Sequence, residues 1–436
     1  MNRLGRSGFI LLLAAAVLPV LHAEIVLNRK FSNNRLQLEW EVDPSDTRSV
    51  YRIIRNGAVA AEQSPGFTFE MEFSDAVPER ETVYQVVKLT DGREIDRSQP
   101  LTVRPGPELA LDPEQGFALS NIFPVTGRPV NFNVTAVNSG SAAARQVEFR
   151  VADAQRGELF STTLPELAPG ERKEIAFSFA FPEKGVWSLN FSLRESGARK
   201  AVPGASFTEK LRVDDRPFYV HWYGAVPDLK YVNLRQGTVA DMEESRKHGA
   251  YAGVCGGCHG LNAGDLLDNL LALTSPGFDA LYIDEISADL DPTGVLLEVL
   301  PKLRQARPEL FIAVWNIGDQ VSDRIAEQLK AGIIDLVMLE IYIRPGENIQ
   351  RLDAAAEAMR RQGIADKVII GLVTNRTWSG GASDQEYIKS LHNQMRHLRR
   401  VFPESPGVAF WDAIAPPGMP EAAEAMIEEL YFQQPF

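Results

Sequence analysis

Cysteine is scarce in this chain of 436 residues, which has only Cys255 and Cys258. Disulfide bonds therefore do not hold its domains together, and its stability has to come from hydrophobic cores. Basic charge is also in short supply, because 58 acidic residues outnumber 45 lysines and arginines and give a formal net charge of −13. That balance argues against nucleic acid or an anionic membrane as a partner.

Long apolar runs are missing as well, except at the amino terminus. Arg3 and Arg6 precede an apolar run at residues 9–21. A pattern typical of signal-peptide cleavage sites follows before Glu24. This arrangement predicts a signal peptide over residues 1–23, a secreted or periplasmic mature chain and no membrane segment after cleavage. An uncleaved anchor is the alternative.

Two segments predict β-sandwiches. Residues 24–105 alternate short apolar runs with turn signals such as Asn56-Gly57, and Trp40 and Tyr84 resemble the paired core aromatics of a fibronectin type III domain. Residues 106–214 carry turns at 138–140 and 167–171 that are similar to CARDB modules. Neither segment has His, Asp or Glu at ligand spacing. We therefore expect spacers, with cell-surface or glycan contact as the lesser possibility.

Residues 215–436 alternate short apolar runs with amphipathic helical patterns, which predicts an α/β domain. Seven strands are predicted, at residues 218–222, 250–254, 280–284, 311–316, 336–340, 368–374 and 408–412, and a run near 231–234 is the candidate for an eighth. The spacing of these units favours a (β/α)₈ TIM barrel. A doubly wound open sheet is the alternative, although no glycine-rich phosphate fingerprint follows the first strand.

Two predicted strands end in acids, Asp284 and Glu340. If their faces line the barrel interior, the two carboxylates converge at the mouth, an arrangement suited to glycoside hydrolysis. Apolar surroundings suit Glu340 to be the general acid and leave Asp284 as nucleophile or base. Glu285 is expected to face the other way and to be structural, although a one-residue shift in register would exchange its role with that of Asp284. The competing interpretation is that these acids cap helices or pair with arginines.

Aromatic and polar residues also gather at the predicted strand ends. Flat rings among amides and acids suit sugars, whose C–H faces stack while their hydroxyls form hydrogen bonds. The predicted substrate-binding residues are His221, Trp222, Tyr223, Trp315, Asn316, Tyr342, Asn375, Trp378, Trp411 and Asp412.

Residues 278–284, 308–316 and 334–340 resemble the spherulin-4-like glycoside hydrolases, TIM-barrel enzymes that include endo-α-polygalactosaminidases. The resemblance implies that Asp284 and Glu340 occupy the family's acidic positions and that Asn316 is its strand-five amide. It also implies a second acid after strand four, for which Asp289 or Asp291 is the candidate.

One motif competes with this interpretation. Residues 255–259 read Cys-Gly-Gly-Cys-His, the spacing of c-type haem attachment. A local disulfide or a redox pair is the alternative, and a zinc site would need a fourth ligand that the sequence does not identify. We expect no cofactor and no metal.

The sequence thus predicts a secreted glycoside hydrolase that acts on a polysaccharide or oligosaccharide through Asp284 and Glu340. The alternative is a non-catalytic glycan-binding or surface protein on the same scaffold. A haem-carrying redox protein is the third hypothesis.

Overall fold

A computed structural model describes residues 25–32, 35–46, 48–66, 68–113, 116–195, 205–223, 229–257, 261–286, 294–411 and 415–432. The chain divides into two compact units. The first consists of Met1–Leu109, Val137–Arg145 and Pro165–Glu171, and the second of Ala110–Ala136, Gln146–Leu164 and Arg172–Phe436. The domain boundaries expected at residues 105 and 214 stay predictions.

The amino-terminal sandwich has eight strands: β1 (Asn28–Ser32), β2 (Arg35–Glu41), β3 (Ser49–Arg55), β4 (Ala58–Gln63), β5 (Glu70–Ala76), β6 (Thr82–Thr90), β7 (Arg93–Arg97) and β8 (Leu101–Val103). One antiparallel sheet has the order β1-β2-β5 and the other β4-β3-β6-β7, with β8 on β6. Strand β2 alternates buried and outward residues, as expected for a half-buried strand. Trp40 and Tyr84 lie in one buried cluster between the sheets.

Eight further strands follow: β9 (Leu109–Leu111), β10 (Phe117–Leu119), β11 (Pro129–Asn138), β12 (Ala144–Asp153), β13 (Gly157–Leu167), β14 (Arg172–Ala180), β15 (Gly185–Glu195) and β16 (Ser206–Val213). Their sheets have the orders β10-β11-β14, with β9 on β11, and β13-β12-β15-β16. Phenylalanine rings fill the space between the sheets, and Phe132 and Phe177 stack with centroids 4.9 Å apart.

The two predicted turns of this region are tied together by Asn138. Its side-chain amide donates hydrogen bonds to the carbonyl oxygens of Ala142, at 2.8 Å, and Leu167, at 2.9 Å. Its backbone carbonyl accepts a hydrogen bond from the amide of Gly170 at 2.7 Å. These bonds satisfy polar groups that would be costly to bury unpaired.

The rest of the chain forms a closed barrel of eight parallel strands in sequence order. They are β17 (Tyr219–Tyr223), β18 (Leu234–Gln236), β19 (Tyr251–Gly256), β20 (Ala280–Ile286), β21 (Phe311–Ile317), β22 (Leu336–Glu340), β23 (Val368–Val373) and β24 (Gly407–Trp411). The barrel is closed by β17, which pairs in parallel with β24. The predicted closed α/β barrel is confirmed at this level, and the alternative of an open sheet is excluded.

In the part of the barrel that the structure describes, helices follow seven of the eight strands and cover the barrel. They are α1 (Met242–Lys247), α2 (Ala263–Thr274), α3 (Val295–Ala306), α4 (Asp323–Lys330), α5 (Arg351–Gln362), α6 (Asp384–Val401) and α7 (Met419–Ile427). Local sequence fixes where they begin: Ser383 and Glu386 form a capping box at the start of α6. Because β23 is covered from outside and filled from inside, all its residues are buried.

Side chains that alternate along the strands fill the barrel interior. A buried cluster contains Tyr282, Trp315 and Met338 among its members. Small residues make room for the large rings: a Cβ on Gly253 would lie 2.2 Å from the Tyr282 ring, and one on Gly371 would lie 2.4 Å from Trp315. The interior is therefore a packed core and not a pore. The mouth of the barrel lies above this core, at the carboxyl ends of the strands.

Within the residues that the structure describes, no helix is both long and apolar enough to cross a membrane.

Candidate active site

The predicted acids occupy corresponding places on two strands of the barrel. Asp284 follows Tyr282 by two positions on β20, and Glu340 follows Met338 by two positions on β22. Tyr282 and Met338 both belong to the interior cluster. Residues two apart on a strand share a face, so Glu340 extends the interior face of β22 to the mouth of the barrel. Asp284 lies in an irregular part of β20 and reaches the same mouth, where it contacts Tyr223 of β17.

Acids at the opposite ends of the strands behave differently. Asp279, just before β20, forms an ion pair with Arg246 at 2.9 Å, and Asp335, just before β22, forms one with Arg304. Asp335 also accepts the amide of Ile312 at 2.8 Å. Pairing with arginine, the structural alternative to catalysis, is thus observed for the acids that precede the strands. Among the described residues, no lysine, arginine or histidine forms a salt bridge with the acids at the strand ends.

Burial gives Glu340 an unusual proton affinity. Loss of hydration raises the pKa of Glu340 from 4.5 to about 7, and the negative charges of Glu285 and then Asp284 add to the rise. Interaction with the Tyr342 hydroxyl lowers the pKa in part. Glu340 is therefore half protonated near neutral pH, as a general acid requires.

Asp284 is held by a neighbouring strand. The hydroxyl of Tyr223, at the end of β17, donates a hydrogen bond to Oδ2 of Asp284 at 2.8 Å. Burial and this bond to the carboxylate raise the pKa of Tyr223 above its ordinary value of 10, so the tyrosine remains a donor. The bond orients one carboxylate oxygen and leaves the other available.

Three half-buried rings stand together on the side of the mouth formed by the last strands. Tyr342 stacks on Trp411 with centroids 5.3 Å apart and planes 25° apart. Trp378 meets Tyr342 edge to face at 5.4 Å and Trp411 at 6.5 Å. The guanidinium of Arg344 lies 4.9 Å from the centre of the Trp378 ring. We call Tyr342, Trp378 and Trp411 the aromatic wall.

Two predicted substrate-binding residues lie deeper in the barrel than expected. His221 and Trp315 are fully buried on the interior faces of β17 and β21, below the mouth. Nδ1 of His221 lies 2.8 Å from the carbonyl oxygen of Leu234, and burial lowers the pKa of His221 to about 4. His221 is thus a neutral core residue that donates to a carbonyl, and the expectation that it contacts substrate is corrected.

Three other predicted residues do not line the mouth. Trp222 is fully buried on the outer face of β17, where its ring lies 5.1 Å from Phe410. The amide of Asn316 donates to the carbonyl oxygen of Gln320 at 3.0 Å, and the amide oxygen of Asn375 accepts from the amide of Thr377 at 3.0 Å. Both asparagines are buried and brace loops. Strand alternation and these bonds correct their assignment to the substrate-binding set.

The cysteine motif touches the site through Cys255. Cys255 is half-buried near the end of β19, and burial together with the charge of Asp284 raises the pKa of its thiol to about 12. In the reduced form the thiol is therefore protonated at neutral pH. Cys258 and His259 lie outside the described residues, so disulfide, redox and haem interpretations all stay predictions. Asp289, Asp291 and Asp412 lie outside them as well.

Sequence reasoning missed Glu285, which was expected to face away from the site. Strand β20 bulges here: Ile283 pairs with Val314, and the next pair is Ile286 with Asn316. Glu285 is exposed and has φ of +46°. A bulge interrupts the alternation of faces, so the side-chain direction could not be read from the residue count. The sequence also does not show which non-glycine residue adopts a positive φ, so this conformation could not be predicted.

Among the described residues, no cluster of three or more His, Cys, Asp and Glu side chains is arranged to hold a metal ion.

No protein-family model and no curated protein matches the chain. Among solved structures, it is similar to a cycloisomaltooligosaccharide glucanotransferase from Paenibacillus sp., with 12% identity, a TM-score of 0.37 and coverage of 60% of this chain and 53% of that one. The chain therefore spans about half the length of that protein.

Two further solved structures are similar to the chain, one over most of its length and the other over about a quarter of it. A GH2 beta-galacturonidase from Eisenbergiella tayi has 9% identity and a TM-score of 0.39, with 93% of this chain and 91% of that one covered. A CARDB domain from Pyrococcus furiosus has 16% identity and a TM-score of 0.21, with 24% and 88% covered. Likenesses at these scores carry no argument about activity. The resemblance to the spherulin-4-like family stays a prediction, and function has to be argued from the site.

Proposed function

We propose that this chain is a glycoside hydrolase with a TIM-type barrel, which cleaves a polysaccharide or oligosaccharide through Glu340 and Asp284. The observation that carries the proposal is the pair of strand-end carboxyl groups with no salt-bridge partner among the described residues, one of them with a pKa of about 7. Helices that follow seven of the eight strands support the TIM type.

The roles of the two acids follow from their surroundings. Glu340 holds a proton at neutral pH in a half-buried position and donates it to the glycosidic oxygen as the bond breaks. Asp284, oriented by the hydroxyl of Tyr223 at 2.8 Å, attacks the anomeric carbon or activates the water that does so. The low-polarity surroundings of Glu340 give the two carboxyl groups separate tasks.

The aromatic wall is the proposed sugar-binding surface. Its rings lie just after β22, after β23 and at the end of β24, and each is half-buried, so a ring face remains for contact. Sugar rings present apolar C–H faces that stack on such rings. We add Tyr223, whose hydroxyl contacts Asp284, to the proposed binding residues.

The experiment that tests the proposal measures reducing-end release from acidic, amino-sugar and neutral polysaccharides. Asp284→Asn and Glu340→Gln should each lose activity by a factor of about 10² or more, because general acid catalysis alone contributes about that much. Glu357→Gln, an exposed change on α5, is the matched control and should retain full activity.

Two outcomes would contradict the proposal. If no polysaccharide is cleaved while the wild type and both variants bind sugar equally, the chain is a glycan-binding protein on the same scaffold. If activity is found but survives in either acid variant, the acids are assigned wrongly.

We also propose that the mature chain is exported, on the basis of Arg3, Arg6 and the apolar run at residues 9–21. Amino-terminal sequencing of the exported protein should begin near Glu24. Retention of residues 1–23 would favour the uncleaved anchor.

A further inference from the structure

The backbone at Glu285 is arranged in a way that needs an explanation. Asp284 and Glu285 together occupy the bulge opposite Trp315, between the pairs Ile283 with Val314 and Ile286 with Asn316. In the described part of the barrel, Glu285 is the only residue other than glycine with positive φ. That conformation is unfavourable for a residue with a side chain, and it is concentrated at functional sites.

The strand register places Glu285 level with Glu340 at the mouth. Its neighbour Ile286 pairs with Asn316, and the next residue of β21, Ile317, pairs with Glu340. Groups from three different parts of the site respond to the charge of Glu285: Glu340 on β22, Tyr342 just after β22 and Tyr223 on β17. For Glu340 the charge of Glu285 has a larger effect than that of Asp284. No lysine or arginine forms a salt bridge with Glu285 in the described ranges, so its charge is not neutralised locally.

We propose that Glu285 is a positioning residue of this active site, which the bulge in β20 turns toward Glu340 so that its negative charge keeps the Glu340 proton available for donation. The inference deepens the proposed function and rests on it. Glu285 itself needs no contact with the substrate. Its effect is exerted through Glu340, since a nearby like charge disfavours the ionised form of a carboxyl group.

Titratable groups on the surrounding elements could also change the proton affinity of Glu340. Asp284 and Glu285 approach from β20, and the Tyr342 hydroxyl approaches from the segment after β22. Tyr223 and Cys255 face Asp284 from β17 and β19. Among the described residues, no cation contributes to the proton affinity of Glu340. Within the described ranges, the two β20 acids are therefore the charges to be separated by experiment.

The decisive experiment measures the proton on Glu340 directly. Carbon-13 NMR of side-chain carboxyl groups, in protein labelled at glutamate, follows the titration of Glu340, and the signal missing from Glu340→Gln assigns it. In Glu285→Gln the titration midpoint should fall by about half to one pH unit. Glu285→Asn should give the same fall, because asparagine tolerates positive φ and so preserves the backbone without the charge.

The control for these variants is Glu357→Gln, which removes one charge from the exposed side of α5 and should leave the midpoint unchanged. An unchanged midpoint in both Glu285 variants would overturn the inference. A fall in Glu285→Gln alone would mean that the backbone, and not the charge, is responsible, and this would overturn it too.

Activity provides a second measurement. If Glu340 is the acid, the alkaline limb of the pH profile of kcat/KM should move to lower pH in Glu285→Asn by the same amount as the NMR midpoint, with activity at low pH within about threefold of wild type. A loss of about 10² or more at every pH would instead make Glu285 a catalytic residue and refute the positioning role. If the wild type cleaves no glycan, the proposed function fails, and the NMR titration still decides whether Glu285 controls Glu340.

Discussion

Glutamine at position 340 should stabilise the barrel at alkaline pH and have little effect at acidic pH. The unfolded chain binds a proton at this position with the ordinary pKa of 4.5, whereas burial and two nearby negative charges raise the pKa of folded Glu340 to about 7. Below pH 4.5 both states are protonated. Between pH 4.5 and 7 the folded state binds more protons than the unfolded state, so the stability of the barrel falls as the pH rises through this window.

The size of the effect follows from the same two values. Each pH unit between them corresponds to about 1.4 kcal/mol, which sets an upper limit of about 3 kcal/mol. Glu340 is only partly buried, and solvent screening reduces this to about 1–2 kcal/mol. Glutamine has nearly the same shape and stays neutral, so Glu340→Gln avoids this cost. For a barrel of this length the gain corresponds to about 2–8 °C in Tm.

The assay is calorimetry of the full chain at pH 5 and pH 8.5, comparing the barrel transition of the wild type with that of Glu340→Gln. We expect similar Tm values at pH 5 and a higher Tm for the variant at pH 8.5. Glu357→Gln controls for the loss of one charge and should show no such pH dependence. Equal Tm differences at the two pH values, or a less stable variant at pH 8.5, would refute the reasoning that Glu340 is kept protonated by its surroundings.

Four other substitutions test the site and the barrel beneath it. Tyr223→Phe removes the hydrogen bond to Asp284 and should lower kcat/KM by about 10- to 100-fold, because a hydrogen bond to a charged group contributes about 1.5–3 kcal/mol; unchanged kinetics would contradict this. Trp378→Ala should weaken oligosaccharide binding, measured by calorimetry, by about 2- to 10-fold. Trp222→Ala should instead lower the free energy of unfolding by about 3–5 kcal/mol. The reverse pattern would refute the assignment of Trp378 to the mouth and of Trp222 to the outer face of β17. Gly253→Ala places a Cβ 2.2 Å from the facing tyrosine ring and should destabilise the barrel by about 1–3 kcal/mol in denaturant unfolding; an unaffected midpoint would mean that the ring moves freely.

Much of the barrel could be predicted because its strands are short apolar runs at regular spacing. The predicted strand at residues 336–340 has the observed bounds of β22, Leu336–Glu340, and even the short run near residues 231–234 leads into β18, Leu234–Gln236. Acids at the ends of two such runs were visible as well: Glu340 ends β22, whereas β20 continues for two residues beyond Asp284 to Ile286. Their catalytic role stays a prediction.

The choice of face was less predictable for a physical reason. On β17, Val220, His221 and Trp222 are all buried, because the interior is packed and helices cover the outside. A strand that is apolar on both faces carries no alternation from which to tell inside from outside. Sequence reasoning therefore counted Trp222 with the residues of the mouth, although its ring belongs to the layer between barrel and helices.

The sequence by itself determined the order of the elements, the parallel barrel and the positions of the two strand-end acids, because these depend on hydrophobic period and spacing along the chain. Only the tertiary structure decided which of the neighbouring side chains meet. Closure of the barrel brings Tyr223 of β17 to Asp284 of β20, and a bulge sets the backbone conformation of Glu285 near the carboxyl end of β20. Both depend on register and backbone conformation between strands distant in sequence, which no local pattern encodes.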